Sequence, residues 1–288
     1  MSRPAPQPMK FDSVDPRQAD TFIQDDAYSL EQKLDGTRAY IVIRANGTLS
    51  FHGHGGRPLA HAAAKQHFGR IALALTPMSV WAAENGGEIH LDGEIITDDG
   101  WFYAFDLPYV ADRNGAEITP ATPYAFRRAA LETLLYSGVI AGHRVASARI
   151  ATGTEAKAAL MAAVMESGAE GVMAKRLDSL YEPGKRVRHS VKIKLTKTAD
   201  VVVTQRDVDG TKNAYLAVTG PDGALVPIGA CSMIGKPDAQ VGEVIEVEYL
   251  YLQAGGRLYQ PRMLRQRPDK IATDCTMAQF PAYSRTIV

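Results

Sequence analysis

The chain is poor in cysteine and carries no excess of charge of either sign. Cys231 and Cys275 are the only cysteines in 288 residues. That is too few for a disulfide framework or a four-thiolate zinc site, and both read as ordinary reduced thiols. The 32 basic residues are matched by 32 acidic ones, which excludes a global field that would draw the protein onto nucleic acid or a membrane. Any such surface must be local. The opening MSRPAPQPMKFDSVD has prolines where a secretion signal needs an apolar run. Neither leader nor membrane anchor is expected, and a cytoplasmic location follows by default.

What is present is mixed secondary structure. Hydrophobic residues make up 45% of the chain, enough for one large core or two modest ones, so two domains are expected. After an irregular segment over 1–19, Tyr28 to Lys33 and Arg38 to Arg44 read as strands around the turn Leu34-Asp35-Gly36-Thr37. Asn46-Gly47 is a hairpin signal before Thr48 to Phe51. Leu59 to Leu75 reads as one alanine-rich helix, and Glu88 to Phe105 as strands turning at Asp92-Gly93 and Asp99-Gly100. Stripes at Leu131, Leu134 and Leu135 and at Leu160, Met161, Val164 and Met165 read as helices, the second opening near Thr154 and stopping at Gly168. Strands are expected at Gly171 to Lys175 and Val191 to Leu195. From about Ala199 the pattern changes to short strands, ending in the alternation Ile245, Val247, Tyr249, Tyr251. That texture suggests a small barrel of the oligonucleotide-binding type.

Two basic clusters stand out locally. Lys185, Arg186, Arg188, Lys192, Lys194 and Lys197 lie between Pro183 and Ala199 with no acid among them, and Arg262, Arg265, Arg267 and Lys270 form the second. Taken alone, a solvated face is the commoner meaning of such a run. Their position among the motifs favours phosphate contact.

Lys33-Leu34-Asp35-Gly36-Thr37-Arg38, preceded by Glu31, would by itself be a hairpin with a solvated lysine. It is followed, in order, by Leu91-Asp92-Gly93-Glu94-Ile95, Phe102-Tyr103-Ala104-Phe105-Asp106-Leu107, Glu170-Gly171-Val172-Met173-Ala174-Lys175, Lys192-Ile193-Lys194 and the run from Arg262 to Lys270. This ordered series resembles the covalent nucleotidyltransferases and, within them, the ATP-dependent DNA ligases, from about Glu31 to Lys270. The stretch from Leu180 to Arg186 adds to the likeness. The resemblance implies an α+β chain, with a mixed α/β adenylation domain (nucleotidyltransferase, ATP-grasp-like) over 20–197 and an OB-fold β-barrel over 198–288. The active site would lie in the cleft between them. It further implies a monomeric enzyme of minimal two-domain form, using ATP and magnesium to seal 5′-phosphate/3′-hydroxyl nicks in duplex DNA during repair or replication.

Roles follow residue by residue from that likeness. Lys33 would attack the α-phosphorus of ATP and keep AMP as a phosphoramidate, its amine made neutral by the nearby charges of Arg38, Lys192, Lys194 and a metal. Lys192 and Lys194, two apart on a strand, share one face and would contact the α-phosphate. Glu94 and Glu170 are the expected magnesium ligands, since that ion takes one or two carboxylates beside phosphate and water. An acid just beyond a helix C-terminus is locally unfavourable, which argues for a role at Glu170. Phe105 would stack on adenine with Met173 on its other face, although pattern alone allows both to be core. Glu31, on the strand face of Lys33, would accept from the adenine amino group, where guanine presents an oxygen. Arg267 and Lys270, with Arg265, would orient departing pyrophosphate. Arg38, Lys185, Arg186, Arg262 and Arg265 are expected DNA contacts.

The chain departs from the family in places. Many ligases have Ser-Arg and then glycine after the first hairpin, where this chain has Phe51-His52-Gly53-His54-Gly55-Gly56-Arg57. We read it as a glycine-rich loop touching DNA rather than a metal site. An aromatic common before the paired lysines is replaced by Ser190-Val191. Alternatives fit less well. An NAD-dependent ligase would bring a nicotinamide-binding region and a cysteine-bound zinc module. An RNA ligase generally lacks the block from Arg267 to Lys270, and a capping guanylyltransferase conflicts with Glu31. A non-catalytic nucleic-acid-binding protein would not keep Lys33, Glu94, Glu170, Lys192 and Lys194 together.

Overall fold

The computed structural model describes residues 5–136, 144–207, 210–253 and 255–281. Contacts divide the chain into two units. One runs to Met161 and takes in Val172–Ile193, and the other comprises Ala162–Gly171 and, among the described residues, those from Lys194 onward.

The strands of the first unit are β1 (Lys10–Val14), β2 (Tyr28–Gln32), β3 (Thr37–Ile43), β4 (Leu49–His52), β5 (Glu88–Ile95), β6 (Phe102–Asp112), β7 (Gly115–Ile118), β8 (Val145–Ser147), β9 (Ile150–Ala151), β10 (Gly171–Arg176) and β11 (Arg186–Lys194). Its helices are α1 (Ala19–Gln24), α2 (Ala62–Lys65), α3 (Phe68–Ala74), α4 (Thr76–Asn85), α5 (Tyr124–Tyr136) and α6 (Thr154–Glu166), the last crossing the division. One sheet has the order β1-β11-β10-β2-β9, and the other β4-β3-β5-β6-β7 with β8 on β6.

Alternation along β3 explains how the layers form. Ala39, Ile41 and Ile43 enter a core shared with Ala64, Ile71, Leu75, Met78 and Ala82 of α2, α3 and α4. Tyr40 and Val42 point the other way, into a cluster with Met9, Phe11, Tyr181 and Val187. A strand buried on both faces reads as a continuous apolar run, which is what Ala39 to Ile43 is. Arg38 shares the parity of Tyr40 and is therefore aimed at that second, more polar layer.

Several local expectations need correction. The opening segment, expected to be irregular, contributes β1, which pairs in parallel with β11 and buries Met9 and Phe11. The single helix expected over Leu59 to Leu75 is two short ones, with α4 beyond them begun by Pro77 in its first turn. The break falls at His67, whose ring reaches the Thr97 carbonyl at 2.9 Å. No turn occurs at Asp92-Gly93, because β5 runs through to Ile95. Glycine is needed there since a Cβ would lie 2.5 Å from the Phe102 ring and from the Tyr103 carbonyl. The hairpin turns instead at Asp99-Gly100, with Gly100 at φ 76. Met165, placed in the apolar stripe of α6, is 60% exposed.

The second unit is a closed barrel of β12 (Lys197–Arg206), β13 (Asn213–Thr219), β14 (Leu225–Ser232), β15 (Val244–Tyr249) and β16 (Arg262–Gln266). The order is β12-β13-β14-β16-β15, closing as β15 pairs again with β12. Val201, Val203, Leu216, Val218, Ile245, Val247 and Met263 fill the interior. Closure leaves no open sheet edge.

One buried lysine was not anticipated. Lys157 has no exposed surface, and its ammonium donates to the carbonyls of Phe22 and Asp25 at 3.0 and 2.7 Å. These carbonyls close the C-terminal end of α1, where orphan acceptors and the helix dipole favour a cation. Lys157→Met should lower the unfolding free energy by about 2 kcal/mol, read as a reduced denaturant midpoint. An unchanged midpoint would show that the lysine is dispensable to the fold.

Candidate active site

Strand β2 buries Leu30, Glu31 and Gln32 and then delivers Lys33, half-buried, to the turn. The turn is laid directly on the end of β5. A Cβ at Gly36 would lie 2.3 Å from the Ile95 carbonyl oxygen and 3.0 Å from Cγ of Glu94, so only glycine permits this approach. The turn that follows Lys33 is thus brought against Glu94, itself paired in register with Arg38.

Arg38 is committed within the layer. Its Nε and Nη2 donate to the two oxygens of Asp92 at 2.9 and 2.7 Å, and Asp92 has no exposed surface. Tyr181 donates to the same carboxylate at 2.6 Å and accepts from the Met9 backbone at 3.1 Å. The guanidinium lies 5.3 Å from the Phe11 ring centroid and 5.1 Å from that of Phe105. Burial opposes the charge of Arg38, but Asp92 more than offsets this and holds its pKa above the ordinary value.

Around Phe105 lies a second buried network. Lys175 Nζ is 2.8 Å from Glu31 Oε2, 3.3 Å from the Phe105 carbonyl and 4.5 Å from the Phe105 ring centroid. The Tyr124 hydroxyl donates to Glu31 Oε1. Desolvation lowers the Lys175 pKa, against the opposing pull of Glu31. Next along β6, Asp106 receives Arg127 at 2.8 and 2.9 Å, and Arg127 also donates to the carbonyls of Thr122 and Ser179. Burial pushes the Asp106 carboxyl up, yet Arg127 brings it below its usual range. Phe105 packs beside Leu34, Ile96 and Ala148, whereas Met173 packs against the cluster of Met9, Phe11 and Tyr40. The sequence reading missed Asp92 as a ligand of Arg38, and it missed Tyr124, Lys175 and Tyr181. The available signal was a charged residue ending or interrupting an apolar strand, as at Lys175 and Asp106.

Four cations bear on one loop. The His54 ring is held below its ordinary pKa, by partial burial first and then by Arg38, Lys10, Lys192 and Arg186. Lys192 and Lys194 are both half-buried on β11, with Ile193 between them at 0% exposure. Lys185 reaches Glu182 at 3.0 Å, and Arg186 reaches the Phe11 carbonyl at 3.1 Å.

In the second unit, Lys194 lies 3.2 Å from Glu170, whose side chain is 5% exposed. Arg262 pairs with Glu248 at 3.0 Å and Arg265 with Glu246 at 2.5 Å. Arg267 is held by Asp200 at 2.8 Å and by both oxygens of Asp269. Arg267 and Lys270 line a cavity of about 400 Å³ together with Gly242, Glu243 and Gln266. Glu94 belongs to the first unit and Glu170 to the second. Among the described residues no three His, Cys, Asp or Glu side chains group as a metal site, and no helix is long and apolar enough to cross a membrane.

Residues 100–194 match the ATP dependent DNA ligase domain. A DNA ligase of Methanoculleus marisnigri is 36% identical over 201 residues, covering 58% of this chain and 35% of that protein. A DNA ligase of Thermococcus onnurineus is 33% identical over 133 residues, covering 43% of this chain and 23% of the relative. The chain thus spans well under half the length of these relatives. Among solved structures, mycobacterial DNA ligase D complexed with ATP and MES aligns at a TM-score of 0.53 and 23% identity, covering 94% of this chain and 97% of that one. A structure from the Lig E DNA ligases aligns at 0.59 and 19% identity, covering 91% and 99%. At such identities the likeness is one of fold. By sequence the chain is similar to DNA ligases, and over residues 100–194 to the ATP dependent DNA ligase domain.

Proposed function

We propose that this protein seals nicks in duplex DNA through a lysyl-AMP intermediate on Lys33, acting as a monomer in DNA repair or replication. The observation that carries the reading is the placement of Lys33 on a turn laid against Glu94, in a unit where the charges of Arg38, Lys10, Lys192 and Arg186 all act to lower the His54 pKa. An anionic substrate is what such a surface attracts.

In the first step the Lys33 amine bonds to the α-phosphorus of ATP as the bond to pyrophosphate breaks. A 5′-phosphate oxygen of the nick then takes AMP from Lys33. Finally the 3′-hydroxyl attacks that 5′-phosphorus and AMP leaves. Phe105 and Met173 are the proposed adenine contacts, with Glu31 accepting from the amino group. Lys192 and Lys194 are the proposed partners of the α-phosphate throughout. Magnesium, when bound, would supply charge neutralisation on the phosphates. The donor set suits it, since Glu94 and Glu170 offer hard carboxylate oxygens, no cage of three such groups forms among the described residues, and the ion would fill its shell with phosphate and water. Glu94 is the fitting ligand, whereas Glu170 would have to share its carboxylate with Lys194. Lys185, Arg186, Arg262 and Arg265 are proposed DNA contacts, each exchanging its present protein acceptor for a phosphate.

Lys33→Ala should abolish covalent labelling by α-labelled ATP with magnesium and leave the thermal transition in place, because a half-buried lysine at a turn supports little packing. Normal labelling of that variant would end the proposal. Chasing the labelled parent with nicked DNA or nicked RNA of the same sequence then separates the two polymers.

Arg267 offers a test of individual steps. It is needed, on this reading, only while pyrophosphate departs, and to act it must trade Asp200 and Asp269 for phosphate oxygens. Arg267→Ala should therefore slow lysyl-AMP formation about a hundredfold or more, yet seal a nick already adenylated at its 5′-phosphate at close to the parent rate. Lys194→Ala and Glu94→Ala should be slow in both assays. Equal loss in both assays for Arg267→Ala would refute the step-specific role.

A further inference from the structure

We propose that Tyr124 and Lys175 are positioning residues for base selection, holding the Glu31 carboxylate as a fixed acceptor for the exocyclic amino group of adenine. This deepens the adenylation reading above and rests on it.

The geometry begins with burial. Glu31, Lys175 and Tyr124 are 2%, 3% and 1% exposed, although two of them carry formal charge. Such a group is retained in a protein only when its partners are in place. Lys175 supplies the counter-ion at 2.8 Å on one carboxylate oxygen, and the Tyr124 hydroxyl donates to the other. Burial first, and the Glu31 carboxylate second, raise the Tyr124 phenol well above its ordinary pKa, so the hydroxyl remains a donor. Each carboxylate oxygen has two lone-pair directions, and one on each is now occupied. The carboxylate can no longer rotate, and its two remaining lone pairs have fixed directions.

The same network holds the proposed adenine platform. Lys175 donates to the Phe105 carbonyl at 3.3 Å and lies 4.5 Å from the centroid of its ring. The Tyr124 oxygen is 3.4 Å from that carbonyl. Acceptor and aromatic platform are thus tied to one ammonium and one hydroxyl. A base that brings an amino group to Glu31 gives it a donor. A base that brings a carbonyl oxygen meets an ionised acceptor that water barely reaches and that cannot turn away. Neither Tyr124 nor Lys175 is required to touch the nucleotide. Their action is through Glu31 and Phe105.

The test compares lysyl-AMP formation from ATP with lysyl-IMP formation from inosine triphosphate, which carries an oxygen in place of the adenine amino group. The variants are Tyr124→Phe, Glu31→Gln and the double substitution, each checked by thermal melting. Tyr124→Phe removes one hydroxyl and keeps the ring. It should reduce the ATP-to-inosine-triphosphate ratio of kcat/KM about tenfold, as expected for one hydrogen bond to a charged group. The loss should fall mainly on KM for ATP. Adding Tyr124→Phe to Glu31→Gln should change the ratio no further, because the choice between an amino group and a carbonyl oxygen is read only at that carboxylate. A purely structural tyrosine would lower stability and leave the ratio where it was. An unchanged ratio in Tyr124→Phe, or additive effects in the double variant, overturns the proposal while leaving adenylation intact. A parent protein that forms no covalent nucleotide from either triphosphate overturns the function proposed above, and this inference with it.

Discussion

A carboxylate with no exposed surface, Asp92, is the constraint on which the first unit depends. It receives two donors from Arg38 on β3 and one from Tyr181, which in turn accepts from the backbone of Met9 ahead of β1. Three separate stretches of chain therefore meet at one acidic side chain, and a fourth is tied to it through Tyr181. Removing one partner of a buried pair is far costlier than never having made it, since the other charge is left without compensation. The alternation of β3 follows the same logic. Its odd positions fill the helix-backed core, and its even positions must face a layer that Asp92 makes polar.

This arrangement also limits what Arg38 can do. One edge of the guanidinium, Nε and Nη2, is spent on Asp92, while the rings of Phe11 and Phe105 lie within 5.3 Å of its carbon. The Nη1 edge is what remains to meet an anion. A planar cation stacked on aromatic rings and clamped by a carboxylate is preorganised, so less side-chain entropy is lost when a phosphate is engaged.

The barrel handles its cations differently. Arg262 and Arg265 on β16 are paired with Glu248 and Glu246 on the neighbouring β15, and Arg267, just past β16, with Asp200 on β12. The side chains of Arg262 and Arg265 are 69% and 65% exposed, so their pairs add little to stability. Their consequence is electrostatic, because the carboxylates cancel the standing positive potential of the face. Phosphate would have to displace them, an exchange that weakens as salt rises. On the function proposed above, a chain with no net charge would keep its nucleic-acid contacts local and conditional.

Elements with a long, clean period were legible without coordinates. Helices α5 and α6 and the barrel strands β12 to β15 fall where apolar spacing put them, and the first hairpin turns at Asn46-Gly47 as its turn residues imply, whereas β16 read only as a run of cations. Legibility failed where one residue type serves two purposes. Asp92-Gly93 has the composition of a turn, yet Gly93 is small because the Phe102 ring lies against it. The sequence by itself determined the periodicities and the order of the motif blocks, and with them the likeness to ATP-dependent DNA ligases. Only the tertiary structure decided which charges are spent on one another. Arg38 and Asp92 lie 54 residues apart, Tyr124 and Glu31 93, and Arg267 and Asp200 67. A local period reports the face a side chain takes, whereas its partner across such separations is set by sheet register and by what else is buried beside it.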